Sequence, residues 1–240
     1  MGIFDMFGGS PEKRIKSAQK KVTEKYGPPE NRQKAIEQLL ELATPEAISA
    51  LMDRFTVNAE PSITDAEEKQ YTYKSIVDLG EKAIEPIKGF MVRSHSATSW
   101  GLKMLRELTD EKAVVAICIE LLTKLGNEYT RDPEKKTVLV TTLGDFLDPR
   151  ITPALVPFLD DPADDVRIAA ATALAKQKDE ASREPLLKTF AESPDRARVL
   201  AAVAAALADT GFPVQGYREK IEKGLPEGYL LDKAGVVKRR

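Results

Sequence analysis

The 240-residue sequence predicts an all-α protein built of about six helical hairpins in succession, with a small β-hairpin at its C-terminus. Three observations predict it. Capping residues stand directly before prolines at six places, apolar residues recur at helical spacing behind such starts, and the starts repeat at intervals of 29 to 37 residues.

Proline interrupts a helix interior, yet at the first helical position its missing N–H costs nothing and its fixed φ suits the turn. The pairs are Ser10-Pro11, Thr44-Pro45, Asp132-Pro133, Asp148-Pro149, Asp161-Pro162 and Ser193-Pro194. In each, the side-chain oxygen is expected to accept an orphan backbone N–H. Thr64 with Glu67 reads as a capping box. The stripes follow: Ile48, Leu51, Met52 and Phe55; Val114, Ile117, Cys118 and Leu121; Ile151, Ala154, Leu155, Phe158 and Leu159; Val166, Ala169, Ala170, Ala173 and Leu174. Each gives a helix one apolar face.

First helices are expected to begin near residues 31, 64, 95, 132, 161 and 193, and second helices near 44, 80, 110, 148, 179 and 212. A single hairpin cannot bury its own apolar face, so an array with this period is stabilised by stacking. Residues 1–30 are expected to form an apolar segment and a basic capping helix, residues 31–223 the repeats, and residues 224–240 a C-terminal cap. In that cap, Tyr229-Leu230-Leu231 and Val236-Val237 flank Asp232-Lys233-Ala234-Gly235, a turn in which Gly235 can take φ > 0.

The stretch "DPADDVRIAAATALAKQKD" resembles a HEAT repeat of the short kind named after phycobilisome lyases. "DPRITPALVPFLDD" and "GEKAIEPIKGFM" are similar to its second helix. The resemblance centres on residues 132–192 and extends over 64–125 and 193–223. It implies a right-handed, armadillo-like α-α superhelix. It also implies that Asp165 and Arg167 support packing between neighbouring repeats; Arg198 stands one position out of that register.

Composition narrows the function. The formal net charge of -2 divides into +4 for residues 10–26, +3 for residues 232–240 and -9 for the rest. An acidic body is a poor general nucleic-acid binder. One cysteine, Cys118, rules out an intrachain disulfide and favours a reducing cytoplasm. The opening "MGIFDMFGG" lacks the basic region and apolar run of a secretory signal, and no stretch is long enough to span a bilayer.

Chemistry finds little support. His95 has no metal-spaced partner, Cys118 lies within an apolar stripe, and one His with one Cys cannot assemble a zinc site within one chain. Gly8-Gly9 lacks the spacing and lysine of a phosphate loop. A carboxylate dyad assembled by folding stays open. The expectation is therefore a non-enzymatic adaptor with protein partners and no cofactor. The alternative that the resemblance implies is a HEAT-like enzyme accessory or an enzyme similar to the phycobilin lyases, ahead of one similar to the alkylpurine DNA glycosylases.

Second helices usually line the groove of such proteins. Phe90, Arg93, Ile119 and Val156, opposite the main stripes, are therefore partner-binding candidates, with packing between repeats as the alternative. Ile3, Phe4, Met6 and Phe7 precede the basic helix. They suggest self-packing, a hook for a partner with Phe4 and Phe7 as anchors, or contact with a membrane surface.

Overall fold

The apolar stripes become helices in the order in which the sequence places them. In this computed structural model, which describes residues 10–240, the chain divides into two units, residues 1–110 and 111–240. The first holds α1 (Pro11–Val22), α2 (Pro29–Leu42), α3 (Pro45–Met52), α4 (Ser62–Asp78), α5 (Ile84–Arg93) and α6 (Thr98–Leu108). The second holds α7 (Glu111–Leu125), α8 (Glu134–Leu143), α9 (Ile151–Leu155), α10 (Asp164–Gln177), α11 (Arg183–Ala191), α12 (Ala197–Thr210) and α13 (Arg218–Gly224). The chain ends in the antiparallel hairpin β1 (Tyr229–Leu231) and β2 (Val237–Arg239). The expectation of an all-α fold with a small C-terminal hairpin is met, and the helices follow in the expected order. Met1–Gly9, with Ile3, Phe4, Met6 and Phe7, lies outside the described residues.

The caps differ from the expectation in an instructive way. Only Thr44 caps as foreseen, accepting from the Ala47 N–H at 3.2 Å. Asp132, Asp148 and Asp161 instead accept from the N–H two residues on, in Glu134, Arg150 and Ala163, at 3.1, 2.9 and 2.9 Å. Each Asp-Pro therefore closes an Asx turn before the helix, with proline setting φ for the turn. Ser10 makes no capping bond. Ser193 is buried and bonds to Arg167. The Thr64–Glu67 capping box does not form, because α4 already starts at Ser62 and Thr64 lies inside it.

A second departure concerns the stripe from Ile151 to Leu159, which reads as one helix. Its apolar members other than Ala154 are buried, yet α9 stops at Leu155 and continues as a 3-10 turn over Val156–Asp160. Pro157 lacks an N–H and its ring crowds the carbonyl four residues back, at Pro153. The C-terminal hairpin follows the expectation. Its register pairs Tyr229 with Arg239 and Leu231 with Val237, and Gly235 turns it at φ 79°. Val237 is buried, and Arg239 pairs with Asp209 of α12.

Charged residues occupy the stripes at particular places. Arg32 precedes Ala35, Ile36 and Leu39 at helical spacing, and Arg54 follows Leu51 by three; both guanidiniums are fully buried. Between them stands Glu68 of α4. Arg32 reaches it through two nitrogens at 2.9 and 3.0 Å, and Arg54 through two at 3.1 and 3.0 Å. Arg54 also bonds Asp65, which accepts from Lys69 and from the Ala59 N–H, each at 2.8 Å. Lys69 completes the set through Asn58. Burial pushes the Asp65 carboxyl up, but Lys69, the Ala59 N–H and Arg54 outweigh it and hold the group below its ordinary value. One network thus joins α2, α4 and the turn after α3.

The second unit repeats the device with fewer charges. Lys136, near the start of α8, is buried and donates to Asp161 Oδ2 at 2.8 Å, just before α10. Arg167, near the start of α10, donates to Ser193 at 3.1 Å, just before α12. In both, a basic residue in a first-helix stripe reaches the residue before proline in the next pair. Asp164 and Asp165 add exposed pairs to Arg196, just before α12, and Arg198 within it, the second at 2.7 Å.

Glu68→Ala is expected to lower the unfolding free energy of the first unit by about 3 to 5 kcal/mol, since two buried guanidiniums lose their shared partner. Chemical denaturation monitored by circular dichroism measures it. The depressed Asp65 contributes stability that is present above its unfolded value and lost as pH falls through the folded one. Asp65→Asn should therefore flatten the loss of stability below the ordinary carboxylate pKa of 3.8. In the second unit, a Cβ on Gly144 would lie 3.0 Å from Ala173 Cβ and 3.2 Å from its Cα. Gly144→Val should cost about 1 to 3 kcal/mol by overpacking, read from the same denaturation curves.

Candidate functional site

The first unit carries a groove of about 1010 Å³ walled by α1, α3 and α5. It follows from placing a helix before the first pair: α1 buries Ala18 and Val22 while α2 and α3 pack beside it. The floor is apolar, with Ile15, Pro45, Ala50, Pro86 and Gly89. One end is closed where Gln19 and Arg93 donate to Asp53 and Arg93 also donates to Ser49. Arg93 donates to Asp53 at 3.0 Å and to the Ser49 carbonyl at 2.8 Å, so it ties the second helices of two successive pairs together.

Away from that closed end the walls change sign. Glu12, Glu46 and Glu85 sit in the first turns of the three helices, and Glu81 lies in the 3-10 turn ahead of α5. At 1.5 Å per residue, Glu12 and Glu85 lie about 10 to 12 Å from Gln19 and Arg93 along α1 and α5. Carboxylates there are favoured by the macrodipoles. Lys82 and Lys16 are the lysines that line the groove with them. The groove thus offers an apolar floor, a carboxylate rim and an arginine already engaged by its own neighbours.

Among the predicted contact residues, Arg93 lines this groove. Phe90 does not: it is 0% exposed and lies under the Arg93 guanidinium, 5.0 Å from ring centroid to cation. The correction has a simple cause, since Phe90 and Ile87 are three residues apart on α5 and share its buried face. Ile119 on α7 and Val156 after α9 belong to the second unit and are half-buried. They do not line that unit's own trough of about 560 Å³ between α8 and α10, where Val138, Ile168, Ala169 and Ala173 meet Asp132, Glu134, Asp165 and Lys176. Phe4 and Phe7 fall outside the described residues. Asp165 and Arg167 each reach toward α12, through Arg198 and Ser193.

Sequence reading missed the rim, because Glu12, Glu46, Glu81 and Glu85 look like ordinary first-turn acids. The signal available was their recurrence at the starts of α1, α3 and α5. His95 is exposed and Cys118 is buried. Among the described residues, no group of three His, Cys, Asp or Glu side chains is placed to hold a metal ion. No helix among them is long and apolar enough to cross a membrane.

A second cluster joins Tyr73, Trp100, Phe55 and Lys103. Trp100 lies 4.8 Å from Phe55 and 5.9 Å from Tyr73, and the Lys103 ammonium stands 4.3 Å over the Tyr73 ring. Burial, reinforced by donation to Glu107, pushes the Tyr73 phenol up to about 12. Absorbance at 295 nm should show one tyrosine ionising near pH 12 while the helical spectrum persists, and Tyr73→Phe should remove that phase.

Residues 119–208 match the family model for HEAT repeats, so that stretch of the chain is composed of HEAT repeats. No curated protein matches the chain. Among solved structures, human deoxyhypusine hydroxylase in complex with glycerol is 14% identical, over 85% of this chain and 87% of that one, with a TM-score of 0.30.

Proposed function

We propose that the protein is a non-enzymatic adaptor that holds a protein partner, with the groove of α1, α3 and α5 as its contact surface. The observation that carries this reading is the combination of an apolar floor with a rim of four carboxylates. Such a surface takes a segment with an apolar face and basic residues at one flank. Helices build its walls, so little ordering entropy is lost when the segment docks. The HEAT repeats of residues 119–208 support a repeat scaffold. Among groove-lining hydroxyls, Thr44 accepts from its own helix and Ser49 from Arg93, which commits both to structure.

Gly89 provides a clean test. A Cβ there meets nothing within 4 Å, so Gly89→Arg fills the groove without disturbing the helices around it. Partners captured by the wild-type protein, purified and titrated by calorimetry, should lose at least about tenfold in affinity to this variant while melting is unchanged. Wild-type affinity should also fall with salt, as rim carboxylates are screened. Equal affinity for both proteins would overturn the groove as the contact surface. Turnover of a bilin or cleavage of alkylated duplex DNA by the wild-type chain would overturn the adaptor reading.

A further inference from the structure

Helix α12 is apolar on every side. Its ten residues from Val199 to Ala208 include no polar side chain, and a helix of that kind belongs in an interior. Only one side of it is interior here. Val199, Val203, Ala204, Ala206 and Leu207 are buried, with α10, α11 and β2 packed on the helix. On the opposite side Ala201 is exposed, and Ala202, Ala205 and Ala208 are half-buried. Along that side runs a trough of about 400 Å³, with Thr172, Ala175 and Lys176 of α10 on one wall and Ala202, Ala205 and Asp209 of α12 on the other.

The charges at the two ends of this face decide what covers it. Arg198 and Asp209 stand eleven residues apart, about three helical turns, so they share one line with Ala202 and Ala205 between them. The midpoint of the charged pair is also the midpoint of the alanine pair. A second α12 laid antiparallel on the first therefore sets each arginine against the other copy's aspartate, and each Ala202 against the other copy's Ala205. A parallel copy sets arginine against arginine. The groups have room for this: Arg198 pairs with Asp165 while its side chain stays 70% exposed, and Asp209 pairs with Arg239 at 47%. The antiparallel contact also brings Asp165, from the start of α10, to the end of the trough where Lys176 and Lys178 stand.

We propose that this face joins two copies of the chain about a twofold axis, with α12 of each seated in the α10–α12 trough of the other and Arg198 against Asp209 at both ends. Such a contact is self-complementary, so every interaction in it occurs twice. Its side chains are small, which lets the two helices approach at the short end of the usual range of interaxial distances. A dimer carries two copies of the groove of α1, α3 and α5. On the adaptor reading above, and only on it, a partner with two docking segments is then held more tightly than one with a single segment.

Sedimentation velocity of the full chain over a concentration series tests the proposal. A monomer–dimer equilibrium supports it, provided that Ala205→Arg stays monomeric with an unchanged helical spectrum where wild type is dimeric. Arg198→Asp and Asp209→Arg should each weaken the dimer at least about tenfold, because two ion pairs become two repulsions, and the double variant should recover most of the loss. The register is read by mixing Ala202→Cys with Ala205→Cys under mild oxidation. The mixture should cross-link in preference to either variant alone, and Cys118 is buried and does not compete. A chain that is monomeric at every concentration overturns the proposal and leaves the face to another protein's helix. A dimer that survives Ala205→Arg, or cross-linking no better in the mixture than in either variant alone, overturns it as well. Gly89→Arg should dimerise as wild type does, and Ala205→Arg should keep wild-type affinity for a single docking segment, so the dimer and the groove stand or fall separately.

Discussion

The apolar stripes of one helical pair are covered only in part within that pair, and the fold of each unit follows from the need to complete the cover with the neighbouring pair. Ile48, Leu51 and Met52 of α3 are essentially inaccessible because α2 and α5 stand on either side. Val166, Ala170 and Leu174 of α10 are covered in the same way, between α8 and α12. Hydrophobic contact is non-directional, however, and alone leaves a pair free to slide along its neighbour. Charged residues set into the stripes remove that freedom. Glu68 takes two guanidiniums from two different elements, and Lys136 and Arg167 each reach a single oxygen in the following pair. Their hydrogen-bond geometry is satisfied in one register and broken in others, and breaking it strands a buried charge.

The network around Glu68 also explains why the first unit tolerates so many buried charges. Arg32, Arg54 and Lys69 face Asp65 and Glu68, and backbone groups at Gly27, Val57 and Ala59 take up part of the remaining hydrogen-bonding capacity. The second unit uses a sparser form of the same arrangement and substitutes close backbone approach, with Gly144 against Ala173. Stability is thus built locally, pair against pair, as expected where each repeat meets mainly its neighbours.

Helix α1 extends that logic to the N-terminal end of the first unit. It closes the exposed side of α2 and α3 with Ala18 and Val22, leaves a groove against α3 and α5, and turns its cations outward. A capping helix needs a polar outer face, and among the described residues no repeat stands before α1. Here the exposed residues of that face are Lys13, Arg14, Ser17, Lys20 and Lys21, a basic excess that capping alone does not require.

The sequence by itself determined the secondary structure and the repeat. Periodicity of 3.6 and the recurrence of start signals are local properties, so the order of the helices and the hairpin at Gly235 were legible with boundaries displaced by a few residues. Arg93, expected opposite a stripe, lines the groove of α1, α3 and α5. Tertiary structure decided the rest. Whether Asp-Pro caps a helix or closes a turn before it depends on where the incoming chain is held, and Asp132, Asp148 and Asp161 took the turn. Phe90 was buried beneath the residue expected to accompany it at the surface. Arg32, Arg54 and Glu68 carried a visible sign, charges at stripe positions, but their partnership joins residues as far as 36 positions apart. The groove rim likewise exists only because three helix starts are brought together. Spacing along a chain fixes which side chains share a face; only packing fixes which faces meet, because burial and charge pairing are properties of neighbours in space.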